Sequence, residues 1–156
     1  LYQAAGYKDK DFEDIPVRMP VSLSEELDTK PYVQTAWKKL CQLNGPITTE
    51  DQARKYIQFY AYLSSLVDRE IARVLLELDR NGYKDDTLII RISDHGDMAM
   101  AHGMQRQKMY NVYRETLNIP MIFSNPNLSP QTTESLSGLV DIMSTLATIA
   151  GADPSK

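Results

Sequence analysis

A short apolar, β-branched run, Thr87-Leu88-Ile89-Ile90-Arg91-Ile92, stops abruptly on Ser93-Asp94-His95-Gly96-Asp97. No other stretch constrains the fold as much. The run reads as a buried strand. A strand is rigid, so the two side chains just past its end are held at the rim of a sheet. In open α/β sheets that rim, outside the carboxyl ends of the strands, is where ligands bind. Gly96 is expected to carry a sharp positive-φ turn there, which glycine adopts without strain. Both histidines of the chain, His95 and His102, fall in this tract, and Lys108 follows closely. The tract reads as half of a metal and anion site.

The elements around it are set by periodicity. Tyr56, Phe59, Tyr60, Leu63, Leu66, Val67, Ile71, Val74, Leu75 and Leu78 recur at three- and four-residue steps. That spacing predicts one helix over about 50–80 with a single apolar face. Thr48-Thr49-Glu50-Asp51 offers a capping signature at its start, and Asn81-Gly82 ends it. A shorter helix over 33–43 would turn Trp37, Leu40 and Cys41 inward, with Asn44-Gly45-Pro46 stopping it. Asn118 to Ser124 reads as a second strand, and 139–149 as a second amphipathic helix stopped by Gly151 and Pro154. Residues 1–32 are polar and punctuated by Pro16, Pro20 and Pro31, so they read as irregular chain wrapped over something larger. The polar stretch 105–116 reads as a flexible loop. The expected organisation is an irregular wrapping segment over 1–47, then helix, strand, motif, strand and helix over 48–156. This is an α/β pattern, but two strands make a poor sheet on their own, since most have roughly four to six.

Composition excludes several classes. The 156 residues are one domain's worth of chain, and 42% of them are hydrophobic, enough to build a core. A net charge of −4 and the lack of any Lys/Arg block argue against a nucleic-acid partner. The single cysteine, Cys41, leaves no internal disulfide and no Cys-rich zinc pattern. Compartment stays open. No apolar run approaches the ~18 residues of a bilayer span. The chain opens on Leu1 without a leader-like segment, so it is expected to be a fragment of a longer protein.

Asp94 would supply a hard anionic oxygen and His95 a neutral imidazole nitrogen, two divalent-metal ligands side by side. Such a metal polarises a sulfuryl or phosphoryl oxygen. Lys108 would offer a point charge to anionic oxygens, and His102 a general acid or a hydrogen bond to a leaving group. Two ligands do not hold a catalytic metal alone, so others must come from elsewhere. Taken singly, each residue has a plainer reading. Asp94-His95 can be turn chemistry, His102 a surface histidine, Lys108 a solvated charge, and the Tyr and Met residues of 98–113 core filler. Their combination past a strand end favours a site.

From about Tyr56 to Gly151 the chain resembles the sulfatase branch of the alkaline phosphatase superfamily, in the C-terminal part of its catalytic domain. Tyr60-Ala61 with Val67-Asp68-Arg69-Glu70-Ile71 is similar to the family's Tyr-Tyr-Ala helix and its Val-Asp-x-x-Ile phrase. Asn81-Gly82 and Asp86-Thr87-Leu88-Ile89-Ile90 match its approach to the strand. Ser93-Asp94-His95-Gly96-Asp97-Met98 and Ala101-His102-Gly103-Met104 are similar to its Ser-Asp-His-Gly-Asp/Glu-Met and Gly-x-His-Gly-Leu. Tyr113-Arg114-Glu115, Ile119-Pro120-Met121-Ile122 and the closing Leu139-Val140-Asp141-Ile142, Thr145-Leu146 and Ala150-Gly151 follow in the family's order. Arylsulfatases, choline-sulfatases and phosphonate monoester hydrolases are the members it looks like.

The resemblance implies a partial alkaline-phosphatase-like sheet with flanking helices, incomplete without an N-terminal part. It implies Asp94 and His95 as metal ligands, Lys108 against the sulfate and His102 lining the pocket. The His102–Lys108 spacing is one residue longer than the family's, and Ser144 replaces a usual Pro. The metal expected is Ca²⁺, with Mg²⁺, Mn²⁺ and Zn²⁺ as alternatives. The family's Cys-x-Pro-Ser-Arg motif, whose Cys becomes formylglycine, is absent, as is its upstream Asp pair. Cys41 lies in Lys-Leu-Cys-Gln-Leu and is expected to be a buried structural thiol. The implied whole is a metal-dependent sulfuric ester hydrolase acting on a small sulfate ester, with nucleophile and remaining ligands N-terminal to Leu1. These residues alone are expected to be inactive. The alternatives are a phosphonate or phosphate ester hydrolase of the same superfamily, or a non-catalytic module binding an anion or a partner. A second copy of the chain is expected over the exposed sheet edge.

Overall fold

The computed structural model describes residues 2–153; Leu1 and the expected helix stop Pro154 lie outside them. Two single 3₁₀ turns, Gln3–Ala5 and Asp9–Asp11, open the chain. Helix α1 (Tyr32–Leu43) and helix α2 (Glu50–Arg80) follow, then strand β1 (Ile89–Ile92) and the short turns α3 (Ala101–Met104) and α4 (Arg114–Leu117). Strand β2 (Met121–Ser124) and helix α5 (Val140–Ile149) complete it. The architecture mixes helices with one small sheet.

Helix α2 has the bounds that its periodicity predicts, but a different residue caps it. The Thr49 hydroxyl accepts from the Gln52 N–H, and the Gln52 side chain accepts from the N–H groups of Thr48 and Thr49. This is a reciprocal capping box closed by Gln52, not by an acidic side chain. Helix α1 ends at Asn44, with Gly45 at φ +106 just beyond. Leu40 of α1 is 51% exposed and Cys41 half-buried, so neither turns fully inward as expected. Burial still raises the Cys41 thiol pKa. Ser144 sits inside α5, which starts at Val140, and its hydroxyl bonds back to the Asp141 carbonyl at 3.0 Å.

The start of the described chain packs on a helix. Tyr2, Tyr7 and Phe12 pack their rings on Phe59 and Tyr62 of α2, with centroids 5.2–6.4 Å apart. Buried Gln58 donates to the carbonyls of Glu13 (2.5 Å) and Ile15 (3.1 Å), which satisfies irregular backbone that no ladder serves. A second cluster centres on Leu23, Ala53 and Met100, with Met19, Ile47, Tyr56, Ile57 and Met104 against it. The core therefore lies between the wrapping segment, the first half of α2 and the loop after β1.

Strands β1 and β2 pair antiparallel, Ile89 opposite Ser124 and Ile92 opposite Met121. Asn125 closes the end of the pair by donating to the carbonyls of Asp85 and Thr87. The expected buried strand is not buried among the described residues: Ile89 and Ile90 are half-covered, and Ile92 is 41% exposed. The second half of the α2 stripe is likewise open, with Val67, Val74 and Leu75 exposed. Periodicity reports which face of an element is apolar, not what covers it. No helix among the described residues is long and apolar enough to cross a membrane.

Candidate metal and anion site

Past the end of β1 the chain enters a tight turn that brings Asp94, His95 and Lys108 together. The His95 Nδ1 lies 2.8 Å from the Gly96 carbonyl. A carbonyl only accepts, so Nδ1 carries a proton, and the Lys108 ammonium against Nε2 can only donate, so Nε2 presents its lone pair. That nitrogen also stands 3.1 Å from Asp94 Oδ2. Two acceptors this close repel each other unless a proton or a cation lies between them. Carboxylate oxygen and imidazole nitrogen also form a donor pair suited to a divalent cation. The Asp94 side chain is 80% exposed, so the pair is open on one side. Among the described residues no group of three or more His, Cys, Asp or Glu could hold a metal ion. The residues fit a metal as two of its ligands.

Gly96 is needed here, but not for the expected reason. It does not adopt positive φ. A Cβ on it would overlap the Glu115 carbonyl oxygen and stand 3.0 Å from that carbonyl's carbon. The Gly96 N–H donates to the Thr116 carbonyl at 2.8 Å. Close backbone approach, not turn geometry, selects glycine. The left-handed conformations fall instead on Ala99, Met100, His102, Met104, Gln107 and Tyr110. Such residues are costly and persist where surrounding contacts over-determine them. Met98 and Met100, at 1% and 0% exposure, anchor this loop as core.

The stretch expected as a flexible loop is pinned. Arg106, 8% exposed, donates to the carbonyls of Cys41 and Gly45 at the C-terminal end of α1, where a cation suits the helix dipole. The Trp37 indole N–H donates to the Arg106 carbonyl at 3.3 Å, and its ring meets Tyr110 edge-on. These contacts fix the loop just before and just after Lys108.

His102 lies on α3 between two carboxylates. Its Nδ1 is 2.6 Å from Glu25 Oε2 and its Nε2 3.3 Å from Glu115 Oε2. Lys30 pairs with the other Glu25 oxygen at 2.6 Å. Lys30 first, then His102, holds the Glu25 carboxyl below its ordinary value of 4.5. Glu25 in turn raises the Lys30 ammonium above 10.5. A depressed carboxylate contributes its stability in full above pH 4.5 and loses it as pH falls through the lowered value; the raised lysine loses its share only above pH 10.5. Docking of residues 22–30 should therefore weaken on acidification below about pH 4.5. Acid titration followed by limited proteolysis of that segment checks this, and Glu25→Gln should abolish the pH step.

The Sulfatase family model matches residues 24–152. The chain belongs to the sulfatase family. Among sulfatases, it is 28% identical to choline-sulfatase of Rhizobium meliloti over 111 residues, 71% of this chain and 21% of that protein. It is 32% identical to arylsulfatase K of Rattus norvegicus over 104 residues, 66% of this chain and 18% of that protein. The chain thus spans about a fifth of the length of these curated relatives. A crystal structure described as a candidate sulfatase from Bacteroides thetaiotaomicron matches 97% of the chain and 36% of its own, with a TM-score of 0.67 at 23% identity. That likeness shows the fold.

Within this sulfatase-family chain, motif reading picks out Asp94, His95 and Lys108, and in the structure His95 meets each of the other two. It gives no indication of Glu25, which reaches His102 from 77 residues away. Ser24-Glu25-Glu26 carries no local pattern that separates the middle residue from its neighbours.

Proposed function

We propose that these residues are the C-terminal part of a sulfatase catalytic domain that hydrolyses a small sulfate ester. In this reading chain outside residues 1–156 completes an alkaline-phosphatase-like sheet and supplies the nucleophile, a formylglycine made from Cys. Residues 1–47 wrap the domain and 48–156 carry the site. The approach of Asp94 Oδ2 to within 3.1 Å of His95 Nε2, with the Lys108 ammonium against the same nitrogen, supports this reading most strongly.

Asp94 and His95 would hold a divalent metal, Ca²⁺ first, with further ligands from the rest of the domain. When bound, that ion supplies charge stabilisation at a sulfuryl oxygen. The remaining work falls to this chain's side chains. The Gly96 carbonyl keeps His95 in the tautomer that leaves Nε2 free. Lys108, whose ammonium lies against His95 Nε2, would present its charge to the anionic ester. His102 lines the pocket from α3. The open faces of α2 and the sheet would be covered by the missing part of the domain, with a second copy over any edge left free.

The test begins with the reading frame upstream of Leu1, where a Cys-x-Pro-Ser-Arg motif behind an Asp pair is expected. The product of that whole frame should hydrolyse p-nitrophenyl sulfate, and Asp94→Ala should abolish both turnover and Ca²⁺ binding by calorimetry. A start codon near Leu1, or turnover that survives Asp94→Ala, would overturn the reading. Preference for a phosphonate monoester over the sulfate would move the substrate class within the superfamily.

A further inference from the structure

Three side chains converge on the imidazole of His102. Glu25 comes from the wrapping segment and Glu115 from α4, one on each ring nitrogen. Tyr113, just before α4, stacks its ring nearly parallel on the imidazole, with centroids 3.8 Å apart at 9°. Helix α1 holds that tyrosine in turn, since the Tyr113 hydroxyl donates to Oε1 of buried Gln34 at 3.1 Å. The backbone repeats the attachment. The His102 N–H donates to the Ser22 hydroxyl at 3.0 Å, and the Gly103 N–H to the Ser22 carbonyl at 2.9 Å. A Cβ at Gly103 would overlap the Glu25 carbonyl oxygen, so the two segments lie in direct backbone contact.

This arrangement decides what the ring can do. A carboxylate accepts and does not donate, so Nδ1 carries a proton given to Glu25, and a second carboxylate, Glu115, stands 3.3 Å from Nε2. A general acid needs one N–H aimed at the leaving group, and here one nitrogen is taken and the other faces a protein carboxylate. The side chain is also only 20% exposed. We propose that His102 is a positioning residue, a latch that pins residues 22–30 onto the loop carrying Lys108. Through Glu115, whose carbonyl lies against Gly96, it also holds the Asp94-His95 turn in place. The proposal deepens the sulfatase reading, because the turn and Lys108 are the groups it serves.

The test uses the whole reading-frame product and the variants His102→Gln, Glu25→Gln and their double. Each single change should lower kcat/KM for p-nitrophenyl sulfate about 10- to 100-fold, the range for partners that orient active groups. The double should lose no more than the worse single. The loss should be equal for an alkyl sulfate, whose poor leaving group needs a proton, and for the nitrophenyl ester, which does not. A His102→Gln defect confined to the alkyl ester, with Glu25→Gln silent, would make His102 a proton donor and overturn the latch. Hydrogen exchange supplies a readout independent of turnover. The Gly103 amide and the amides of 22–30 should exchange faster in both single variants, and unchanged exchange would overturn the latch. If the wild-type product cleaves no sulfate ester, the sulfatase reading fails while the exchange result still decides this one.

Discussion

Gly96→Ala should be among the most damaging single-methyl additions in the chain. The new Cβ would meet backbone only: the Glu115 carbonyl oxygen, its carbon at 3.0 Å and the Thr116 Cα at 3.4 Å. Side chains can rotate away from an intruding atom, but paired backbone cannot. Moving the strand end aside also breaks the Gly96 N–H to Thr116 carbonyl bond. Overpacking costs about 1–3 kcal/mol, and a lost backbone hydrogen bond adds roughly 1 kcal/mol. A destabilisation of about 3 kcal/mol is expected, read from denaturant midpoints. Gly138→Ala is the control, because its Cβ would meet only a Val140 methyl at 4.0 Å. It should stay within about 0.5 kcal/mol of the parent. Equal midpoints for the two variants would show that the contact between Gly96 and Glu115 is not rigid.

Lys108→Ala should lower kcat/KM for a sulfate ester in the whole reading-frame product by about 10²–10³, the effect of removing one preorganised donor from developing negative charge. Its effect on metal binding should have the opposite sign to that of Asp94→Ala. The ammonium lies against the same His95 lone pair that a cation would use, so removing it removes a competitor. Calorimetric titration with Ca²⁺ should show affinity equal to or above the parent's. Weakened Ca²⁺ binding in Lys108→Ala would mean that the lysine builds the cation site and does not merely occupy it. Unchanged turnover would remove Lys108 from the anion site.

Much of this arrangement is legible in the order of residues. The 31-residue helix α2 announces itself through its three- and four-residue apolar steps, and Asn81-Gly82 marks its end. The pairing of Asp94 with His95 follows from adjacency at a strand end. Its link to Lys108 is foreseen from the motif, although the intervening loop follows no regular period. These features depend on neighbours within about a dozen residues, where local geometry governs what meets what.

What only the tertiary structure decided involves partners far apart in the chain. Glu25 sits in backbone without periodicity, so no local rule distinguishes it from Glu26, yet it meets His102 across 77 residues. Gly96 is selected by a carbonyl nearly 20 residues downstream, which is why a positive-φ turn was the wrong reason for it. Arg106 carries no signal of its own in sequence and becomes a buried cap on α1 once the loop folds back. The sequence alone determined the three long helices, the two strands, the family and the placing of Asp94 and His95 at a strand end, because those rest on short-range pattern. Burial, capping across elements and the setting of His102 were decided by the fold, because they depend on which distant backbone arrives to supply an oxygen.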